Sequence, residues 1–219
     1  MNIKKNPDNF INDLTSRYPI LFKSKQEIKD AAELLIKTIE SGNKLLICGN
    51  GGSSADADHI VGELMKGFLQ TRPLTEKQKR SLKTVGGEHG IKMGQLLQQG
   101  IPAISLSSAT ALNTAFLNDV DPSLIYAQQI IGLGKPGDLL WGISTSGNSK
   151  NIVAAVTAAK AFGLKTLGLT GKKESSLSKL SDVCIKVEEI ETYKVQELHL
   201  PVYHTLCMII EDYFFSDNA

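Results

Sequence analysis

Asp138–Ser149 reads DLLWGISTSGNS, and Lys44–Ser54 reads KLLICGNGGSS. Each is a short apolar run that stops at a turn of glycine and hydroxyl residues. Each then enters a helical pattern, NIVAAVTAAKAFG after the first and Ala55 to Phe68 after the second. An apolar run without polar alternation suits a strand buried on both faces, the condition of a parallel sheet covered by helices. Working outward, IPAISL (Ile101–Leu106), KTLGLT from Lys165 and VCIKV from Val183 are runs of the same kind. Short strands alternating with helices predict an α/β fold with a parallel sheet covered on both faces. Toward the N-terminus, the chain up to about residue 41 reads as helical: Ser24 and Glu27 have capping-box spacing before IKDAAELLIKTIE, and Gly42 with Asn43 stops it. At the other end, Lys194 to Phe215 reads as one long helix, with Pro201 either kinking it or lying near its first turns.

One stretch breaks the alternation. Thr75 to Gly100, TEKQKRSLKTVGGEHGIKMGQLLQQG, is charged at first and glycine-broken in the middle. It reads as two short helices flanking a turn, inserted between a core helix and a core strand. It is either a solvated excursion or a lid, and His89 in its GGEHG turn is expected to be exposed. The 219 residues fit a single domain over 1–219, and 42 % hydrophobic with 21 % charged residues is ordinary for a globular protein. A net charge of +1 gives no electrostatic reason to bind nucleic acid or a membrane surface, so an anionic substrate must be held by a local site. Cys48, Cys184 and Cys207 are scattered and form no CxxC pair. They read as buried thiols in a reducing compartment. MNIKKNPDNF carries no apolar signal region and no run of ~18 apolar residues occurs, which makes the cytoplasm the expected location.

The two strand-to-helix turns are the candidates for chemistry. In an open parallel sheet, ligands sit at the carboxyl ends of the strands. A helix N-terminus offers backbone N–H groups to an anion, and glycine lets the backbone approach it. STSGNS adds the hydroxyls of Ser144, Thr145, Ser146 and Ser149, and GNGGSS adds Asn50, Gly51, Gly52 and Ser53 at a matching turn. Such a pair suits a phosphate monoester. Neither turn has the GxGxxG spacing of a dinucleotide site or the Lys-Ser/Thr of a P-loop, so no nucleotide cofactor is expected. His59 and Glu63 lie four apart on one helix face, while Gln196 and His204 lie eight apart on the last helix, with Lys194 and His199 directed elsewhere. A carboxylate base and an imidazole acid can interconvert an aldose and a ketose through an enediol. The same four side chains also make a plausible zinc set, and a simple stabilising His–Glu pair accounts for the spacing equally well.

CGNGGSSADADH and ISTSGNSKNIV resemble the two phosphate-side motifs of sugar isomerase (SIS) domains, and VQELHLPVYH resembles the closing helix of the phosphoheptose isomerases. The three motifs occur in the family's order. The resemblance implies a five-stranded parallel sheet flanked by helices, and a homotetramer with sites at subunit interfaces. It implies Glu63 as general base and His204 as its partner acid. It also implies zinc held by His59, Glu63, Gln196 and His204, as in some members. Ser53, Ser144, Thr145, Ser146 and Ser149 match phosphate binders, Asn50 matches a sugar-hydroxyl contact, and Asp119 in LNDVD resembles an acidic residue after the second strand. The implied reaction takes sedoheptulose 7-phosphate to a heptose 7-phosphate. The Thr75–Gly100 insertion departs from the pattern, as does Tyr193, which stands where many members carry a substrate-touching Asp. Another phosphosugar therefore stays open as substrate, as does a non-catalytic sensor or scaffold. Such a scaffold would have no use for both Glu63 and His204.

Overall fold

The computed structural model describes residues 6–216, so residues 1–5 and 217–219 of the expected 1–219 domain lie outside the described residues. Five strands form one sheet: β1 (Leu45–Cys48), β2 (Ala103–Ser105), β3 (Leu139–Ile143), β4 (Lys165–Thr170) and β5 (Val183–Lys186). Every pairing is parallel and the order is β2-β1-β3-β4-β5. The order reverses between β1 and β3. At such a switch point the connections leave in opposite directions and open a crevice at the strand ends. The turns after β1 and β3 are GNGGSS and STSGNS.

The apolar runs are uninterrupted because both faces are covered. Leu45 and Ile47 point into one core with Leu139, Trp141 and Ile143, while Leu46 and Cys48 point into the other with Leu140. The first core is closed by α1 (Pro7–Arg17), α2 (Lys25–Glu40), α3 (Gly52–Met65) and the long α9 (Thr192–Phe215). The second is closed by α6 (Ile125–Leu133), α7 (Lys150–Ala161) and α8 (Ser176–Leu180). Burying each large side chain in these cores contributes roughly 1.5–3 kcal/mol. α9 runs through Pro201 without a break in its assignment.

Some expectations need correction. Ser24 stands at the N-cap of α2 but its side chain makes no capping bond: its Oγ donates to the Lys186 carbonyl at 2.6 Å, tying the start of α2 to β5. α3 begins at Gly52 rather than near Ala55, because Ser54 and Ala55 already donate to the Gly51 carbonyl. It ends at Met65, short of Phe68, where Arg72 takes up the Glu63 and Leu64 carbonyls. Cys48 and Cys207 are buried, but Cys184 on the edge strand β5 is only half-buried.

The Thr75–Gly100 stretch contains α4 (Glu76–Leu96), opened by a Thr75–Gln78 capping box and broken at Gly87, where φ is 53° and ψ is −129°. The halves fold back on each other. Gly90 lies against the Leu82 backbone and Gly94 against Lys79, so the arm is an antiparallel helical hairpin. His89 on it is exposed. The hairpin joins the body through a Pro73–Gln98 bridge and the bond from Gln99 N to the Arg72 carbonyl at 2.7 Å.

Candidate functional site

The two turns meet through a reciprocal amide pair. Asn50 Nδ2 donates to Asn151 Oδ1 at 2.8 Å, and Asn151 Nδ2 donates to Asn50 Oδ1 at 2.9 Å. Tyr126, almost fully buried, donates to the Gly49 carbonyl at 2.5 Å, and Ser107 Oγ donates to the same oxygen at 3.3 Å. In STSGNS, Gly147 takes a φ of 65° that other residues avoid. A Cβ there would stand 2.1 Å from Ser175 Oγ. Ser144 is buried and turned into its own loop, accepting from Gly147 N at 3.1 Å and sharing a 3.0 Å bond with Ser149 Oγ. Ser146 is exposed, and its Oγ accepts from Asn148 N at 3.2 Å. Thr145 and Ser149 are half-buried, and Ser53 is buried beneath the first turn. Asp119, at the C-terminal end of α5 (Thr110–Asp119), is exposed and accepts from Asn118 at 2.8 Å, with no hydrogen bond to either turn among the described residues.

α3 and α9 run side by side in the same direction, and their contacts form a seam. At its start, Gln196 lies so close to Gly52 that a Cβ there would stand 2.5 Å from Gln196 Nε2. Further along, His59 Nδ1 is 3.0 Å from the Tyr203 hydroxyl, and His59 Nε2 is 3.1 Å from Glu63 Oε1. Tyr203 donates to Asp56 Oδ1 at 3.2 Å, completing a chain Asp56–Tyr203–His59–Glu63. The His204 ring centroid is 5.0 Å from that of His59, 5.0 Å from Tyr203 and 5.4 Å from Phe68. A cavity of about 220 Å³ opens beside it, lined also by Arg17, Tyr18 and Met208. Helical side chains lean toward the N-terminus, so the Glu63 carboxylate reaches back a turn toward the strand ends.

Burial sets the protonation states here. It lowers the His204 pKa, helped by neighbouring His59, so His204 is a neutral imidazole at neutral pH. It raises that of Asp56, partly opposed by Tyr203 and His59. His199 is fully buried against β4, near the Thr170 backbone but without a hydrogen bond of ordinary geometry, and desolvation pushes its pKa down to about 4. Two atoms of the seam are buried without a hydrogen-bond partner: Glu63 Oε2 and His204 Nε2. The nearest cation to Glu63 Oε2 is Lys66 Nζ at 3.9 Å.

The SIS domain family matches this chain over residues 10–88 and 93–171. This chain belongs to the SIS-domain family, alongside the phosphoheptose isomerases. The phosphoheptose isomerase of Thermodesulfovibrio yellowstonii is 38 % identical over 192 residues, covering 88 % of this chain and 83 % of its own. Solved phosphoheptose isomerase structures from Francisella tularensis and Neisseria gonorrhoeae superpose with TM-scores of 0.69 and 0.66, each 28 % identical. They cover 94 % and 91 % of this chain, and 98 % and 97 % of their own.

The SIS chain's candidate metal donors are only partly assembled. His59, Glu63, Gln196 and His204 supply two imidazoles, a carboxylate and an amide oxygen, a set that suits zinc in kind. The orphaned Glu63 Oε2 and His204 Nε2 both await a partner. His59, however, uses both ring nitrogens on Tyr203 and Glu63, and Gln196 sits eight residues, ~12 Å of helix, from His204. Among the described residues, no three His, Cys, Asp or Glu side chains are grouped closely enough to hold a metal ion as they stand. Sequence reasoning missed Tyr126, Asn151, Tyr203 and Asp56. Asn151, Asp56 and Tyr203 lie within the motifs themselves, but their partners come from distant segments that no spacing rule connects.

Proposed function

We propose that this SIS-domain protein is a phosphosugar isomerase that converts sedoheptulose 7-phosphate to D-glycero-D-manno-heptose 7-phosphate. The observation that carries this reading is the seam, where Glu63, His59 and His204 stand together below two joined, hydroxyl-rich turns at the sheet's switch point. The names of the relatives support the same reaction. The phosphate is proposed to rest on Ser53, Thr145, Ser146 and Ser149 with the α3 and α7 N-termini, Ser144 bracing the loop. Asn50, Gln196 and, by resemblance, Asp119 contact the sugar.

In the proposed chemistry, Glu63 removes a proton from C1 of the open-chain ketose. The electron pair forms a C1–C2 double bond as the C2 carbonyl becomes an oxyanion. His204, as a neutral imidazole, donates a hydrogen bond to that oxygen. The C1 hydroxyl proton then passes to the C2 oxygen by way of His204, and as C1 becomes the aldehyde Glu63 returns a proton to C2. Oε2, which accepts no hydrogen bond, is the oxygen proposed to carry the proton. Zinc is proposed at His59, Glu63, Gln196 and His204 once these side chains converge, where it would supply Lewis-acid polarisation of the substrate oxygens, with Glu63 swinging between the roles of ligand and base. Metal analysis of protein purified without chelator, then EDTA treatment and zinc add-back, tests it. Substoichiometric metal with activity unchanged by EDTA overturns the metal proposal and leaves the two-residue mechanism.

A homotetramer is proposed as the working unit. α5 buries none of its own residues and exposes Leu112 and Leu117, with Val120 and Leu124 beside them, an apolar surface that a second copy would cover. Light scattering checks the assembly. No helix among the described residues is long and apolar enough to cross a membrane, and with two buried free thiols this supports the cytoplasm as the proposed location. A panel of ketose phosphates assayed for aldose product tests the function. Turnover of a different sugar phosphate would move the assignment within the same chemistry, guided by the exposed Tyr193. Binding without turnover of any would make the protein a sensor.

A further inference from the structure

α3 ends at Met65, and its last carbonyls need partners. They find Arg72. Its Nη1 donates to the Leu64 carbonyl at 2.7 Å and its Nη2 to the carbonyl of Glu63 itself at 3.1 Å. The guanidinium places its charge at the helix C-terminus, where the dipole favours a cation. Its remaining donors meet Glu211 of α9: Nε and Nη2 each lie 2.8 Å from Oε1. Glu211 in turn accepts from Phe68 N at 2.8 Å, Leu69 N at 2.7 Å and Gln70 N at 3.2 Å. The Phe215 ring lies 4.8 Å from the guanidinium carbon. Both charged side chains are essentially inaccessible to water, 0 % and 1 % exposed.

A buried ion pair is a poor way to gain stability, because apolar side chains of similar volume commonly do as well. What this one does is specific. It bonds to the backbone of Glu63 on one side. On the other it fixes Phe68, whose ring packs on His204, through the Phe68 N–H. Glu211 also lies seven residues beyond His204 on α9, on the same helix face. We propose that the Arg72–Glu211 pair is a positioning device, holding the Glu63 carboxylate at a fixed depth relative to His204. The inference rests on the reading of Glu63 as the general base. Neither Arg72 nor Glu211 touches the reacting atoms.

Arg72→Lys is the test. Lysine keeps the charge but lacks the planar fork that serves Glu211 and two carbonyls at once. A displacement of about 1 Å at a catalytic group costs about 10²-fold, so kcat is expected to fall by that order while KM stays within about twofold. Val156→Ala, in the core on the opposite sheet face, serves as the stability control. It is expected to lower the melting temperature at least as much while keeping kcat within about twofold. Wild-type kcat in a folded Arg72→Lys protein, or an equal kcat loss in Val156→Ala, overturns the proposal. If Arg72→Lys does not fold, Glu211→Gln is read in the same way; failure of both to fold also overturns it, since the pair would then determine folding and not base position. Glu63→Gln is assayed alongside. Turnover by that variant removes Glu63 as base whatever the clamp does. An inactive Glu63→Gln beside a fully active Arg72→Lys sinks the clamp alone.

Discussion

The strand-end turns and the α3–α9 seam hold their shapes by different means. The turns rely on glycine conformations and on short hydroxyl and amide bonds, many of them to residues a few positions away, such as Ser144 with Ser149. The seam relies on contacts between distant segments, such as exposed His59 with buried Tyr203 and the buried pair Arg72 with Glu211. Local turns are suited to wrapping a small anion, because the backbone N–H groups at the helix starts already point outward. Proton transfer needs an acid and a base from two elements held at one distance, and only tertiary packing supplies that.

The seam is most sensitive at Glu63. Glu63→Gln keeps the shape but cannot accept a carbon-bound proton, and a rate loss of ~10²–10⁴ is expected with the fold intact. Comparable turnover in a folded variant would leave the seam without a catalytic task.

The next effect concerns the side of α9 turned to the sheet. The pKa of His199 is about 4 in the folded chain, below the ~6.5 of an unfolded histidine. The unfolded state therefore takes up the proton first on acidification. The contribution of neutral His199 is complete above about pH 6.5 and is lost as pH falls toward 4, on the order of 3 kcal/mol in all. Urea unfolding at pH 7 and pH 4.5 should show a steeper loss for the wild type than for His199→Gln. Parallel losses would mean that this histidine is not held neutral.

The turns are expected to respond to ligand and not to rate. Ser146→Ala should weaken binding of the phosphorylated sugar by roughly 1.5–3 kcal/mol, the value of a hydrogen bond to a charged group. The non-phosphorylated sugar should bind as before. Calorimetry with both ligands checks this, and equal weakening of the two would mean the loop does not hold phosphate. The smallest effect is expected from the arm. Replacing residues 76–96 with a short flexible link between Thr75 and Leu97 removes largely exposed surface. It should keep kcat within about twofold. A large fall in kcat would make the arm a lid.

The split between turns and seam also explains what the sequence could reveal. DLLWGISTSGNS and KLLICGNGGSS are contiguous, so strand, turn and helix start can be read from a dozen residues. The five strands followed from the same signal, and their all-parallel pairing follows from burial on both faces. His59 with Glu63 was legible because helical periodicity brings residues four apart together. Ser24 misled because capping-box spacing is a local rule, and a carbonyl on β5, far along the chain, offered its hydroxyl a better partner. The Arg72–Glu211 pair spans 139 positions and no periodicity links its members. Gln196 matched a ligand by motif, yet its side chain rests against Gly52, a contact set by how α9 docks on α3.

The proposed reaction requires the seam to move a proton between two sugar carbons. The wild-type protein incubated with sedoheptulose 7-phosphate in D2O, followed by proton NMR, reads this directly. The aldose is expected to appear and to carry deuterium at C2, acquired as Glu63 exchanges its proton with solvent. A ketose that binds yet remains unconverted and unlabelled after prolonged incubation would contradict it.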